Sequence, residues 1–131
     1  MKNHAKQTKT QKHDDCIFCK IIAGELPCTK VYENDSVLAF KDISGDFENH
    51  TIVVPKRHCE SILDASNCRL RSCMIAIKEI SNNFLKQGYD GVNVFNNSGA
   101  AAEQTISHLH FHIIPRKKGD GQQVSPKPKK L

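Results

Sequence analysis

The segment His108–Ile114 alternates three histidines with apolar residues. Because successive side chains of a β-strand point to opposite faces, this alternation predicts a strand with all three imidazoles on one face. The opposite, apolar face would anchor the strand on a hydrophobic core. We expect the strand to cover residues 105–114 and to end at Pro115.

The rest of the sequence predicts a small antiparallel α+β domain. Four further strands are expected at residues 30–33, 36–41, 51–54 and 92–96, where β-branched or alternating apolar residues concentrate. Together with the histidine segment they make five strands.

Two helices are expected beside these strands. Apolar residues spaced by three and four over residues 70–84 predict a long helix, capped by Ser66 or Asn67 and ended near Gly88. A short helix over residues 16–23 would stop at Gly24, and its cap would be Asp14 or Asp15.

The net charge of +5 is carried by the two ends of the chain. Residues 1–12 contain four lysines and no acid, and residues 116–131 contain six basic residues and one acid. Between them lie nine basic and thirteen acidic residues. We therefore predict a disordered basic tail (1–13), a folded domain (14–118) and a flexible basic tail (119–131). Nucleic acid is not an expected partner, because its binding needs basic residues on the folded part.

We expect a cytoplasmic protein with no membrane partner. No apolar run is long enough to span a bilayer, and the N-terminal residues lack the apolar stretch of a secretory signal. In a reducing compartment the six cysteines would be thiols or metal ligands rather than disulfides. The close pair Cys16 and Cys19 is the one that suggests a metal.

The three histidines allow three interpretations. They could be structural, although three alternating imidazoles are costly to bury unless each finds a polar partner. They could bind a metal together, because imidazole suits zinc, copper and iron. They could catalyse phosphoryl transfer, with imidazole as nucleophile and proton donor. The upstream loop of small residues (96–105) favours the third interpretation, because its backbone N–H groups can approach an anion closely.

With these features the sequence resembles the histidine-triad (HIT) family, whose motif alternates three histidines with apolar residues as residues 108–114 do. The resemblance covers residues 16–116, with matching segments at 16–25, 31–43 and 50–58. It implies the HIT fold, a five-stranded antiparallel sheet with one long and one short helix, and a homodimer. The implied enzyme is a nucleoside phosphoramidase or nucleotide hydrolase that acts on the α-phosphate of purine nucleotides.

The resemblance also implies a role for individual residues. His110 would be the nucleophile that forms a covalent nucleotidyl intermediate, and His112 would bind the α-phosphate with support from His50. Asp42 would accept hydrogen bonds from the ribose hydroxyls, and the catalysis would need no cofactor. The base and the phosphate would be held by Phe18, Ile21, Phe40 and Ile43, and by Asn97, Glu103 and Thr105 respectively.

Glu103 departs from the family pattern, in which glycine is common at this position. A non-glycine residue strains the turn if the position requires a positive φ. A carboxylate beside the phosphate would also repel it unless the side chain points away. We therefore expect Glu103 to affect substrate preference and rate.

Bacterial-type members of the family with a Cys-x-x-Cys pair bind zinc, and the resemblance implies a structural zinc here. Two thiolates from one helical turn can share a tetrahedral zinc ion. The alternative is a pair of reduced, half-buried thiols. The implied ligands are Cys16, Cys19, His58 and His108.

Three functions therefore stay open at the level of sequence. The first is a phosphoramidase or hydrolase that releases a nucleoside monophosphate, with dinucleoside polyphosphates as a variant substrate. The second is a binding module that senses purine nucleotides with little turnover. The third is a zinc protein whose histidines all bind metal.

Overall fold

A computed structural model describes residues 15–124 and folds them into one five-stranded antiparallel sheet. The strand order is β1-β2-β3-β5-β4. The predicted α+β class, with one long and one short helix, is confirmed. The elements are β1 (Lys30–Glu33), β2 (Val37–Lys41), β3 (Thr51–Pro55), β4 (Gly91–Phe95), β5 (Phe111–Arg116), α1 (Ile17–Ile22), α2 (Asn67–Lys86) and a 3-10 turn (Ala100–Ala102).

The two faces of the sheet carry separate apolar clusters, one under each helix. Along β2, Val37 and Ala39 pack in the cluster that holds the buried face of α2. Leu38 and Phe40 pack on the other face, in the cluster that holds Phe18 of α1. All four β2 residues are buried, as expected for a strand covered on both sides. Because α1 is only six residues long, it covers part of its face and leaves the rest to the site described below.

The ends of the helices agree with the sequence prediction in all but one place. Ser66 caps α2 by accepting the Arg69 N–H at 3.1 Å, and Gly88 follows the helix with φ +103°. Gly24 ends α1 with φ +82°, as predicted. The prediction of an aspartate cap for α1 is wrong for Asp15, because Cys16 occupies the cap position and its sulfur accepts the Cys19 N–H at 3.3 Å. Asp14, the other predicted cap, lies outside the described residues.

Strand β5 begins later and ends later than predicted. The residues before Phe111 do not join the sheet ladder, because their backbone groups bind elsewhere: the Leu109 N–H donates to Cys59 O at 2.8 Å, and His110 O accepts from Asn96 at 2.8 Å. Pro115 does not end the strand. Strand β3 pairs only with residues 111–113, so beyond them β5 has a single neighbour, β4, and the missing N–H of proline is tolerated.

The described chain continues past the sheet in a turn held by Arg116. This guanidinium lies 2.7 Å from Asp120 and also donates to Gln122 O at 2.6 Å. The contacts extend beyond the predicted domain boundary at residue 118. The predicted N-terminal tail (1–13) and residues 125–131 of the predicted C-terminal tail lie outside the described residues. Neither helix in residues 15–124 has the length and apolar character needed to cross a membrane.

Candidate active site and metal centre

The first histidine of the triad belongs to a cluster with two cysteines. His108 Nδ1 lies 3.3 Å from Cys16 Sγ and 3.5 Å from Cys19 Sγ. His58 Nδ1 lies 3.3 Å from Cys19 Sγ. All four potential ligand atoms lie within 4.8 Å of one another. These are the four residues that the sequence resemblance implied as zinc ligands.

Three separate elements bring this cluster together. Cys16 and Cys19 come from the first turn of α1, His58 follows β3, and His108 precedes β5. The orientation of His108 is fixed by its other ring nitrogen, because Nε2 lies 2.9 Å from Pro55 O. A carbonyl oxygen only accepts, so Nε2 carries the hydrogen and Nδ1 presents its lone pair to the thiols.

The geometry of the cluster fits a tetrahedral zinc ion. Zn–S bonds of about 2.3 Å and Zn–N bonds of about 2.0 Å place neighbouring sulfur and nitrogen ligands about 3.5 Å apart, close to the distances found here. Burial, the hydrogen bond to Cys16 and the charge of Cys16 together raise the pKa of the Cys19 thiol to about 12. A bound cation would supply the positive charge that holds these sulfurs as thiolates.

His110 and His112 lie outside this cluster. Among residues 15–124, the only group of histidine, cysteine and acidic side chains with metal-binding geometry is the one just described. The interpretation in which all three triad histidines bind one metal therefore has no support in the structure. The triad is divided between two sites.

His110 is held in one tautomer by the backbone. Its Nδ1 lies 2.8 Å from His108 O, so Nδ1 carries the hydrogen and Nε2 carries a lone pair. The ring is 6% exposed and packs edge-on against Phe18, with ring centroids 5.1 Å apart. Burial lowers the pKa of His110 below its ordinary value. The residue is thus a neutral imidazole with a nucleophilic nitrogen at neutral pH.

His112 pairs with His50 and stacks on an aromatic ring. His112 Nδ1 lies 2.9 Å from His50 Nε2, and its ring lies on that of Phe95 with centroids 4.5 Å apart and an interplanar angle of 13°. Both contacts follow from the sheet, because His112 pairs with Phe95 across β4–β5 and lies diagonally from His50 across β3–β5. Burial lowers the pKa of His112 to about 4, with the charges of His110 and His50 adding to the effect.

Asp42 faces His50 where the β2–β3 hairpin opens into its loop. The Asp42 N–H donates to His50 O at 2.8 Å, one pair beyond the last ladder pair of the hairpin. Asp42 Oδ2 lies 3.3 Å from His50 Nδ1, within ion-pair distance but without hydrogen-bond alignment. The same oxygen accepts the hydroxyl of Ser44. Burial lowers the pKa of His50, and the charges of Asp42 and Asp46 oppose this.

A cavity of about 320 Å³ is lined in part by Phe18 of α1 and Phe40 of β2. It is mostly apolar, and Asp42 stands on its wall. Phe18 connects the cavity to His110, since its ring contacts both Phe40 and the imidazole. Ile43 lies at the rim and is 98% exposed. The lining includes all five residues predicted for the base and ribose, namely Phe18, Ile21, Phe40, Asp42 and Ile43.

The predicted phosphate-binding loop is ordered by its own contacts. The Glu103 N–H donates to Ala100 O at 2.9 Å, so in this structure it is used within the 3-10 turn. Glu103 has φ +67°, so the position does adopt the left-handed conformation that strains a non-glycine residue. Thr105 lies on a different cleft, next to Cys16 and His58, and Asn97 is half-buried just after β4.

Three residues that support the site were missed by sequence reasoning. Phe95 stacks on His112, and the Asn96 side chain donates to His110 O at 2.8 Å. Gln104 braces the loop by accepting the Gly99 N–H at 2.8 Å and donating to Ile106 O at 2.8 Å. The end of an alternating strand beside the histidine strand was the available signal for Phe95. No local sequence pattern distinguishes Asn96 and Gln104 from other amide residues of the chain.

Comparison with known proteins shows that the chain belongs to the HIT family. Residues 23–119 match the family's HIT domain. A HIT-like protein of Methanocaldococcus jannaschii is 47% identical over 109 residues, which cover 83% of this chain and 84% of that protein. The adenosine 5'-monophosphoramidase of Schizosaccharomyces pombe is 37% identical over 101 residues, covering 77% of this chain and 74% of the enzyme.

A solved structure with the same fold contains zinc. The zinc-bound histidine triad family protein of Mycobacterium smegmatis superposes with a TM-score of 0.77 at 31% identity. The match covers 89% of this chain and 86% of that protein. The expected HIT fold is confirmed by this agreement.

Proposed function

We propose that this protein is a nucleotide hydrolase that cleaves purine nucleotide conjugates at the α-phosphate, with nucleoside phosphoramidates as the preferred class. One observation carries the proposal. The backbone carbonyl of His108 holds His110 as a neutral imidazole whose Nε2 lone pair is free to attack phosphorus. A family relative with adenosine 5'-monophosphoramidase activity supports the substrate class.

The nucleotide fits the geometry around His110. The flat apolar walls of Phe18 and Phe40 suit a purine base, and Asp42 at the cavity wall suits two ribose hydroxyls. Base and ribose bound in this way place the α-phosphate toward His110, because Phe18 contacts the His110 ring and Asp42 neighbours His50. Binding thereby supplies the positioning on which phosphoryl transfer mainly depends.

The reaction proceeds in two displacements. In the first, the bond between His110 Nε2 and phosphorus forms as the bond from phosphorus to the leaving amine breaks, and the amine leaves with the bonding electron pair and takes up a proton from solvent. In the second, a water oxygen attacks phosphorus and gives a proton to solvent, the Nε2–P bond breaks with its electron pair returning to Nε2, and a nucleoside monophosphate is released. A hydrogen donated by His112 Nε2 to a non-bridging oxygen stabilises the charge of both transition states.

The chain would hold a structural zinc ion through Cys16, Cys19, His58 and His108. When bound, the ion supplies a cross-link between α1, the turn after β3 and the segment before β5. Its ligands do not include His110 or His112, so the chemistry of the site is left to the protein's own side chains. Reduced cysteines of this kind fit a cytoplasmic location.

The active form would be a homodimer. Met74 and Ile75 are each about half exposed on one face of α2, at 50% and 51%, and Val94 is 40% exposed on the edge strand β4. A second copy would cover this apolar face and could extend the sheet across the β4 edge. A Met74→Asp variant that sediments as a monomer while the wild type sediments as a dimer would support this arrangement. A wild-type monomer at micromolar concentration would contradict it.

The function is tested by following AMP release from an adenosine 5'-phosphoramidate. We expect turnover by the wild type and a loss of about 10⁴-fold or more in His110→Asn, because the nucleophile is removed. The variant should still bind AMP within a few-fold of the wild type, which controls for folding. Tight AMP binding by a wild type without turnover would support a binding module instead. Turnover that survives in His110→Asn would refute the covalent mechanism.

A further inference from the structure

We propose that Asp42 is also a positioning residue, whose carboxylate sets the proton arrangement of the His50–His112 pair so that His112 Nε2 carries a hydrogen toward the substrate phosphate. The inference rests on the proposed function and adds a second role to the ribose contact. It starts from a line of three side chains: Asp42 Oδ2 lies 3.3 Å from His50 Nδ1, and His50 Nε2 lies 2.9 Å from His112 Nδ1.

The two ring nitrogens at 2.9 Å share one hydrogen, so the pair has two arrangements. In the first, His112 Nδ1 donates to His50 Nε2, and a neutral His112 then presents a bare Nε2. That lone pair would face the oxygens of a phosphate and repel them. In the second, His50 Nε2 donates to His112 Nδ1, and a neutral His112 carries its hydrogen on Nε2. Only the second arrangement provides a donor for the substrate.

The second arrangement affects His50 Nδ1, the ring nitrogen that faces Asp42. With its hydrogen on Nε2, a neutral His50 would turn the lone pair of Nδ1 toward the negative carboxylate of Asp42. Taking up one proton from solvent removes this repulsion and turns the contact into an ion pair between His50 and Asp42. A neutral pair would instead place a hydrogen on His50 Nδ1 and leave His112 Nε2 bare, so the donor arrangement depends on this extra proton. Burial of His50 opposes the proton, whereas the negative charges of Asp42 and of the bound phosphate favour it.

Burial leaves Asp42 as the neighbouring charge that can act directly on His50 Nδ1. His50 Nδ1 is a buried nitrogen with no hydrogen-bond partner in the described part of the chain, and the side chains of His50 and Asp42 are only 10% and 21% exposed. A small rotation of the Asp42 carboxylate would complete the missing hydrogen bond. Because Asp42 stands on the wall of the nucleotide cavity, ribose binding and proton placement would depend on the same carboxylate.

Asp46 provides a matched control. It is a second carboxylate whose charge acts on His50, but the short ion-pair contact of the His50 ring is with Asp42. Asp42→Asn removes the contacting carboxylate with almost no change of shape, and Asp46→Asn removes a nearby charge without touching the line of side chains. Both variants are compared with the wild type by thermal melting to establish that they are folded.

The experiment separates proton placement from ribose binding by removing the ribose hydroxyls from the substrate. We would measure kcat for an adenosine 5'-phosphoramidate and for its 2',3'-dideoxy analogue. The expected result is a fall of about tenfold or more in Asp42→Asn with both substrates, and a change of less than twofold in Asp46→Asn. If Asp42→Asn equals the wild type on the dideoxy substrate, Asp42 only binds ribose and the inference is overturned. A wild type inactive on both substrates would instead refute the proposed function.

Ring ¹⁵N NMR of the AMP complex decides the question if the wild type turns over only the ribose substrate. We expect His112 to carry its hydrogen on Nε2 in the wild type and in Asp46→Asn, and to shift it toward Nδ1 in Asp42→Asn. The same His112 tautomer in all three proteins would overturn the inference.

Discussion

His108 and His110 are two residues apart, both are buried, and each donates a ring hydrogen to a backbone carbonyl, yet they belong to different sites. The two residues differ in which ring nitrogen donates its hydrogen to the backbone carbonyl. His108 donates from Nε2 to Pro55 O and turns Nδ1 to the thiols of Cys16 and Cys19. His110 donates from Nδ1 to His108 O and so presents the lone pair of Nε2, the atom proposed to attack phosphorus. Two carbonyl groups of the backbone thus decide which imidazole can serve as a metal ligand and which can serve as the proposed nucleophile.

The largest effect is expected when the cysteine–histidine cluster around His108 is disrupted. Cys16→Ser should lower the bound zinc from about one ion per chain to near zero and reduce the melting temperature by roughly 10–20 °C, because the cross-link between three elements is lost. His110→Asn should keep its zinc and melt within about 3 °C of the wild type. Elemental analysis and calorimetry measure both quantities. Full zinc content in Cys16→Ser would show that the ion, if bound, is held elsewhere.

The second prediction concerns His112 in the proposed active site and the dependence of stability on pH. Burial lowers the pKa of His112 to about 4 from an ordinary value of 6.5. Between these two values the unfolded chain takes up a proton that the folded protein does not, so the free energy of unfolding should fall as the pH drops from about 6.5 to 4. The expected loss is on the order of 2 kcal/mol. Urea titrations of wild type and His112→Asn, both loaded with zinc, measure it. Equal pH slopes in the two proteins would contradict the assignment.

The smallest effect concerns Glu103, in the loop between β4 and the histidine segment. Its φ of +67° is strained for a residue with a side chain. Glu103→Gly should therefore raise the free energy of unfolding by about 0.5–1 kcal/mol and lower KM for the phosphoramidate by about two- to threefold through loss of the negative charge. Glu103→Gln keeps the strain and removes the charge, so it should change KM alone. An unchanged KM in both variants would mean that the carboxylate does not reach the phosphate.

The sequence predicted most of what depends on periodicity. The alternation at 108–114 placed Leu109, Phe111 and Ile113 in the core and the histidines opposite them, and the spacing of α2 identified its buried face. Motif resemblance, rather than periodicity, brought together the four residues of the metal cluster. Local patterns could not show where β5 begins, because the backbone around Leu109 and His110 binds Cys59 and Asn96 from distant parts of the chain.

What the sequence could not predict depends on contacts between distant residues. Cysteine is an uncommon helix cap, so the role of Cys16 at the start of α1 was assigned to an aspartate. Phe95 looked like an ordinary strand residue until its ring was seen on His112. The hairpin that brings Asp42 to His50 was visible as two strands, but the nine-residue loop between these strands gave no sign of the contact.

Cys16 begins α1 and also belongs to the metal cluster, and this double position has a consequence for ligand affinity. A helix of six residues has little stability of its own, so α1 depends on what anchors its first turn. The same helix carries Phe18, which forms part of the cavity wall and touches His110. If the metal cluster no longer held the first turn of α1, the protein would therefore bind nucleotide more weakly, although every residue that contacts the nucleotide would be unchanged.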